Sequence, residues 1–231
     1  MGAAAADLAT TGKLLLLLLP STICFITLIL SFAGLGFAAT TSSSKLNPQE
    51  VKALMSIGKR LGKKDWDFGK DPCSGEGNWN ATYSKERMKG FESSVTCDCS
   101  FLHNSSCHVV AIALKGQNLS GPVPSEFAKL RYLKILDLSR NCLNGSIPSQ
   151  WATMRLQDLS FMGNRLSGAF PQVLTNITTL RNLSIEGNQF SGPIPPEIAK
   201  LINLEKLVLS SNAFTGQLPA ELGKLINLTD M

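Results

Sequence analysis

Histidine is nearly missing: His103 and His108 are the only two in 231 residues. That scarcity argues against a multi-histidine metal centre and against histidine-driven hydrolysis. A strong excess of one charge is missing too. The 22 basic and 17 acidic residues leave a net charge of +5, too little for a dedicated nucleic-acid binder. No glycine-rich phosphate loop or metal-ligand cluster is found, so no catalytic, cofactor-binding or metal-binding residue is assigned. Val110-Ala111-Ile112-Ala113-Leu114-Lys115 echoes a kinase strand, but the lysine spacing does not fit that motif. What the chain does have is apolar content, 44% against 17% charged, too high for a disordered polymer.

Charge is absent altogether between Lys13 and Lys45. A leucine run from Leu14 to Leu19, Pro20, and small residues at Gly36 and Ala38 read as a secretory leader, residues 1–38, cut near Ala38. A retained signal anchor is the competing reading. Either one puts the residues after Thr40 outside the cytosol. Cys73, Cys97, Cys99 and Cys107 crowd together, which in an exported chain reads as two disulfides with three connectivities open. Zinc is the rival, but Cys97-Asp98-Cys99 has a single intervening residue where zinc knuckles have more. Cys142 is left over and reads as an incidental surface thiol. Sequons at Asn80, Asn104, Asn118, Asn144, Asn176, Asn182 and Asn227 fit a glycosylated extracellular protein.

From residue 110 the sequence repeats. Gly121, Gly145, Gly168, Gly192 and Gly216 each stand three residues before Pro124, Pro148, Pro171, Pro195 and Pro219. Four residues ahead of each glycine come Gln117, Asn141, Asn164, Asn188 and Asn212, preceded by apolar pairs such as Leu136/Leu138. The apolar pair predicts a short strand with two inward side chains. The asparagine predicts an inward amide that bonds backbone groups at the bend, stacking into a ladder. Glycine permits a backbone that a Cβ forbids, and proline stops the strand. No turn buries its apolar side alone, so stacking must close one core. The third copy is one residue short between Trp151 and Leu159.

An array of this kind needs a cap, assigned to residues 39–109. Asn47, Pro48 and Glu50 read as N-cap, first turn and capping-box acid of a helix. Val51, Leu54, Met55 and Leu61 would form its apolar stripe, and Lys59-Arg60 with Lys63-Lys64 its solvated end. The stretch from Phe68 to Asn104 shows little periodicity and is expected to depend on disulfides rather than on a core.

These residues resemble the extracellular part of plant leucine-rich-repeat receptor-like serine/threonine kinases. The unit Leu-x-x-Asn-x-Leu-x-Gly-x-Ile-Pro is that family's plant subtype. Trp66-Asp67-Phe68, Asp71-Pro72-Cys73 and Val95-Thr96-Cys97-Asp98 resemble its amino-terminal cap. Cys97-Asp98-Cys99 and Cys107-His108-Val109-Val110 resemble a group in which a malectin-like domain follows the repeats. The resemblance implies an α/β repeat fold, a leucine-rich-repeat solenoid with a disulfide-bonded cap, and pairs Cys73 with Cys97 and Cys99 with Cys107. Residues 110–231 are then five repeats and a truncated sixth. Leu222, Leu225, Leu228 and Met231 open that sixth repeat, and Leu207, Leu209, Leu222, Leu225 and Leu228 are expected to form an exposed apolar patch.

The function implied is a ligand- or partner-binding ectodomain of a plasma-membrane receptor-like kinase, on the extracellular side, truncated before membrane and kinase parts and not itself an enzyme. The alternative is a secreted repeat protein that binds or inhibits a cell-wall enzyme. Partners expected are an extracellular peptide, protein or cell-wall carbohydrate, with a co-receptor and no nucleic acid or cofactor. Strand alternation places outward residues on one concave face, where Lys115, Asp137, Arg140, Met162 and Glu186 carry the distinctive chemistry. Ser139 is expected to point outward with them.

Overall fold

The computed structural model describes residues 45–82, 91–101 and 106–231, with side chains omitted at 81 and 82. The leader reading, Cys24, His103 and Asn104 lie outside these residues. Among the described residues, no helix is long and apolar enough to cross a membrane.

The cap comprises β1 (Lys45–Leu46), α1 (Pro48–Leu61), β2 (Asn80–Thr82), β3 (Glu92–Phe101) and the first half of β4 (Ser106–Lys115). The repeats add inner strands β6 (Ile135–Asp137), β8 (Asp158–Ser160), β10 (Asn182–Ser184) and β12 (Lys206–Val208). Between them run outer strands β5 (Ser120–Pro122), β7 (Cys142–Gly145), β9 (Arg165–Ala169), β11 (Gln189–Gly192) and β13 (Ala213–Phe214). Each coil therefore contributes one strand to the inner sheet, β12-β10-β8-β6-β4-β3-β2, and one to the outer, β13-β11-β9-β7-β5. This outer sheet has no counterpart in the sequence reading, because its strands are short and centred on polar and glycine positions.

The inner strands are parallel and in register, so Ile112, Leu136, Leu159, Leu183 and Leu207 form one column. Leu114, Leu138, Phe161 and Ile185 form a second, fully buried column. After each proline a 3-10 turn closes the far wall, burying Phe127, Trp151, Leu174 and Ile198. Each such side chain contributes about 1.5–3 kcal/mol when fully buried. Leu207 and Leu225 are also buried, while Leu209, Leu222 and Leu228 are packed against the core. The expected apolar patch is thus smaller than five leucines, because the last turn folds back: Leu207 N–H bonds Asp230 carbonyl at 2.9 Å. Ile226 and Met231 remain exposed.

The asparagine column forms a continuous zigzag. Leu138 carbonyl accepts from both Asn141 and Asn164, Phe161 carbonyl from Asn164 and Asn188, and Ile185 carbonyl from Asn188 and Asn212. The amide oxygens of Asn164, Asn188 and Asn212 accept from Leu143, Leu166 and Phe190 N–H groups of the preceding coil. Gly121, Gly145, Gly168, Gly192 and Gly216 have φ between 75° and 97°, conformations costly for any residue with a Cβ.

The cap departs from expectation in three ways. Asn47 caps α1 by accepting from Gln49 N–H, but Glu50 is no capping-box acid. It points inward, 4% exposed, where one oxygen lies 2.7 Å from His108 Nδ1 and the other accepts from Val109 N–H at 2.7 Å. The buried stripe of α1 is Ala53, Leu54, Ile57 and Leu61, with Met55 exposed. The basic end is not simply solvated: Arg60 Nε bonds Glu126, and Lys63 Nζ bonds Asp65 and Gln117, each at 2.8 Å. These contacts tie helix to first coil, and explain glutamine in the ladder column, where the longer side chain reaches Lys63.

The stretch after Phe68 also holds more structure than periodicity suggested. Strands β3 and β4 form an antiparallel hairpin that continues the inner sheet. Beneath it, Trp66, Phe68 and Trp79 pack ring to ring at 4.9–6.2 Å. Disulfides join Cys73 to Cys97 and Cys99 to Cys107. Cys142 is a free, half-buried cysteine whose thiol lies 3.8 Å from Asn118 Oδ1.

Candidate partner-binding surface

The outward residues of the inner strands fall into columns fixed by the in-register pairing. One column runs Ala113, Asp137, Ser160, Ser184 and Val208. The next holds Lys115, Ser139, Met162, Glu186 and Ser210. Ser139 departs from the outward expectation: it is 2% exposed. Its N–H is bonded to Asp137 Oδ1 at 2.8 Å, which folds the turn inward there.

Alternation also works in the other direction along each strand. It presents Ile135, Asp158, Asn182 and Lys206, a column the sequence reading left out. The signal was available, since each of these residues immediately precedes an inward leucine. Here Asn182 Nδ2 donates to Asp158 Oδ1, and Lys206 Nζ to Asp230 Oδ2.

Two hollows open on this face. One of about 480 Å³ includes Ser160, Met162, Ser184, Glu186, Lys206 and Asp230; the other, of about 340 Å³, includes Ile135, Asp137, Asp158, Ser160, Asn182 and Lys206. Both are lined by Ser160, Ser184 and Lys206, so they make one trough with a serine floor and carboxylates along it. Asp137, Met162 and Glu186 are thus brought together across the two hollows. Lys115 and Arg140 line neither. Lys115 pairs in register with Glu92 of β3, at the cap end. Glu186 accepts from Ser210 Oγ at 3.1 Å.

Arg140 occupies a position of its own. Its φ is 57°, as at Ser211, whereas the same column elsewhere holds Gly116, Gly163 and Gly187 with φ of 63–69°. An exposed arginine in the left-handed region carries a backbone cost that glycine avoids. Arg140→Gly is therefore expected to stabilise the fold by about 0.5–1 kcal/mol, the left-handed cost less the greater chain entropy of glycine. A melting temperature that falls instead would show that the arginine side chain itself holds the turn.

Six sequon asparagines, Asn80, Asn118, Asn144, Asn176, Asn182 and Asn227, are exposed. Asn182 alone among them lines the trough, so a glycan there would occupy the space a partner needs.

The family model described as Leucine Rich Repeat matches residues 132–154, 179–201 and 203–225. A probable LRR receptor-like serine/threonine-protein kinase of Arabidopsis thaliana is 65% identical over 157 residues, 68% of this chain and 15% of that protein. A second probable leucine-rich repeat receptor-like serine/threonine-protein kinase of the same plant is 46% identical over 146 residues, 62% of this chain and 14% of that one. The chain thus spans about a seventh of these relatives' length. Among solved structures, the LRR ectodomain of the receptor kinase SOBIR1 from Arabidopsis thaliana superposes with a TM-score of 0.64 at 25% identity, covering 81% of this chain and 93% of that one. A chain of the BIR3–SERK2 complex from Arabidopsis thaliana gives 0.58 at 27% identity, covering 78% and 92%. The columns, the cap and these similarities agree: the chain belongs to the leucine-rich-repeat proteins and is homologous to the plant receptor-like serine/threonine kinases.

Proposed function

We propose that this chain is the partner-sensing ectodomain of a plasma-membrane receptor-like kinase, with 1–38 as leader, 39–109 as cap and 110–231 as repeats. It contributes recognition rather than catalysis, and acts on the extracellular side. The observation that carries this reading is the concave trough, a continuous strip of small hydroxyl residues flanked by Asp137, Asp158 and Glu186 on one rigid sheet. Stacked strands hold such side chains at fixed spacing, so an extended peptide or a second ectodomain finds its donors already ordered. The SOBIR1 ectodomain and the BIR3–SERK2 complex, both similar in fold, support a receptor setting with a co-receptor. Arg140, retained in a backbone conformation that glycine fills in other coils, stands beside the trough, its N–H bonded to Met162 carbonyl at 2.7 Å, and serves as a contact on its rim.

The test is site-specific photo-crosslinking on living plant cells, with the crosslinker at position 162 in one variant and at exposed position 200 in another. The expected result is an adduct with a polypeptide from position 162 that is absent from position 200. Adducts of equal yield from both positions, or none from 162, would remove the concave face from the reading.

A further inference from the structure

The cap–repeat flank carries a second site that neither the concave face nor the relatives' names account for. A hollow of about 700 Å³ lies between the turn entering β6 and the turn entering β8, and Arg131, Lys134, Arg155 and Gln157 line it. It sits where the repeat is short. Leu133, Leu180, Leu204 and Leu228 each bond back to the residue three before them, closing a tight turn. In the third coil only Arg155 separates Met154 from Leu156, and no such turn is made. Thr179 Oγ1, from the next coil, donates to the Leu156 carbonyl at 2.6 Å. A second hollow of about 620 Å³ continues across the cap boundary, sharing Ala128, Arg131 and Tyr132 with the first. Together they form a furrow running along the coil axis.

Among the described residues, the cations of this furrow make no ion pair. Arg60, Lys63, Lys70, Arg181 and Lys206 are held in ion pairs. Among the described residues, Lys129, Arg131, Lys134 and Arg155 have no carboxylate within salt-bridge distance, and all four are exposed. Two carboxylates on the cap side of the furrow are engaged in other bonds. Glu50 is committed to His108 and Val109 N–H. Asp98 is bonded to Ser100 N–H at 2.9 Å, which holds its carboxyl below the usual range, with a smaller contribution from Lys134. Tyr132 stands at the junction of the two hollows, 40% exposed, its ring braced at 4.1 Å from His108 and 4.6 Å from Phe101. The remaining polar lining of the first hollow is amide and hydroxyl, Gln157, Thr153 and Thr179, beside the apolar Ala128, Leu130 and Met154.

We propose that this furrow binds a linear acidic oligosaccharide, a chain of uronic acids, with the Arg131/Lys134 turn and Arg155 on carboxylates of neighbouring rings and Tyr132 against a ring. Arginine suits carboxylate because its planar fork makes two parallel bonds. Successive coils stand about 4.8 Å apart, a spacing of the order of one sugar ring, so cations on neighbouring coils meet carboxylates on neighbouring rings. The braced aromatic face together with amides and hydroxyls favours a hydroxyl-covered sugar over an acidic peptide, which needs only the cations. Among the described residues, no sequon asparagine lines either hollow.

The experiment titrates the full chain calorimetrically with a linear oligogalacturonate, its fully methyl-esterified form, and polyglutamate of matched charge. Binding is expected for oligogalacturonate alone, weakened by added salt as exposed charge pairs are screened. Removing the charges in Arg131→Ala/Lys134→Ala/Arg155→Ala should raise Kd by about tenfold or more, with an unchanged melting temperature because all three side chains are exposed. Single Arg155→Ala, expected to lose part of the affinity, keeps the test valid should the triple variant misfold. Met162→Ala/Glu186→Ala, on the concave face, should bind as the parent does, which separates this site from the trough. The proposal is overturned if oligogalacturonate does not bind, if its affinity survives loss of the cations, or if polyglutamate binds as tightly.

Discussion

Replacing Asn164 with alanine is expected to destabilise the chain by about 2–3 kcal/mol, because a buried donor loses its partner. That donor is Leu143 N–H, which is bonded to Asn164 Oδ1 at 3.0 Å inside the coil. The Leu138 and Phe161 carbonyls each lose one of two amide donors and keep the other, from Asn141 and Asn188. Asn164→Asp should be no better. It retains the acceptor, loses both N–H donors and sets a carboxylate against two carbonyls in a buried site. Asn212 makes a matching set of bonds, to Ile185, Leu209 and Ser210 carbonyls and from Phe190 N–H. It is half-exposed, however, so water can replace what the side chain supplied, and Asn212→Ala should cost about 1 kcal/mol. Chemical denaturation of the two variants side by side checks the ranking. Equal losses would mean that the bond set alone, and not its burial, sets the contribution of each rung.

That ranking was legible in the sequence, because glycine, proline and asparagine columns set the register of every coil before any coordinate is known. The outward column of Asp158, Asn182 and Lys206 is equally legible, because strand alternation runs backward as well as forward from the inward leucines. Glu50 shows a different limit of local pattern. An acid three residues after an N-cap fits a capping box and a buried partner equally well, and only the approach of His108, 58 residues away, decides between them. The hairpin of β3 and β4 was hidden by its serines, cysteines and charges, which show no apolar period. It forms because β4 is already anchored as the first coil and offers β3 a free edge. The short third repeat could be counted from the sequence, but the cationic furrow beside it depends on how neighbouring turns stack, and that is a three-dimensional fact.

The cap is where the second large effect is expected. Cys73 and Cys97 are 24 residues apart and Cys99 and Cys107 are 8 apart. By loop-closure entropy such bridges contribute about 3.5 and 2.5 kcal/mol respectively. The Trp66–Phe68–Trp79 cluster gives the cap a core of its own, with Trp79 fully buried and its Nε1 donating to Asp67 carbonyl at 3.0 Å. Neither element should therefore hold the cap alone. Cys73→Ser/Cys97→Ser is expected to cost about 3 kcal/mol, and Trp79→Ala about 3–5 kcal/mol through loss of contacts and the cavity left behind. Repeat arrays couple mainly to nearest neighbours, so the damage should stay near the cap and first coil while later coils remain folded. Hydrogen exchange resolves this: amides of α1, β3 and β4 should exchange faster in both variants, and those of β8 to β12 should not. An unchanged cap in the serine variant would mean that the aromatic cluster suffices. Loss of protection through β12 would instead mean that cap and repeats unfold as one unit, with Arg60–Glu126 and Lys63–Gln117 carrying the coupling between them.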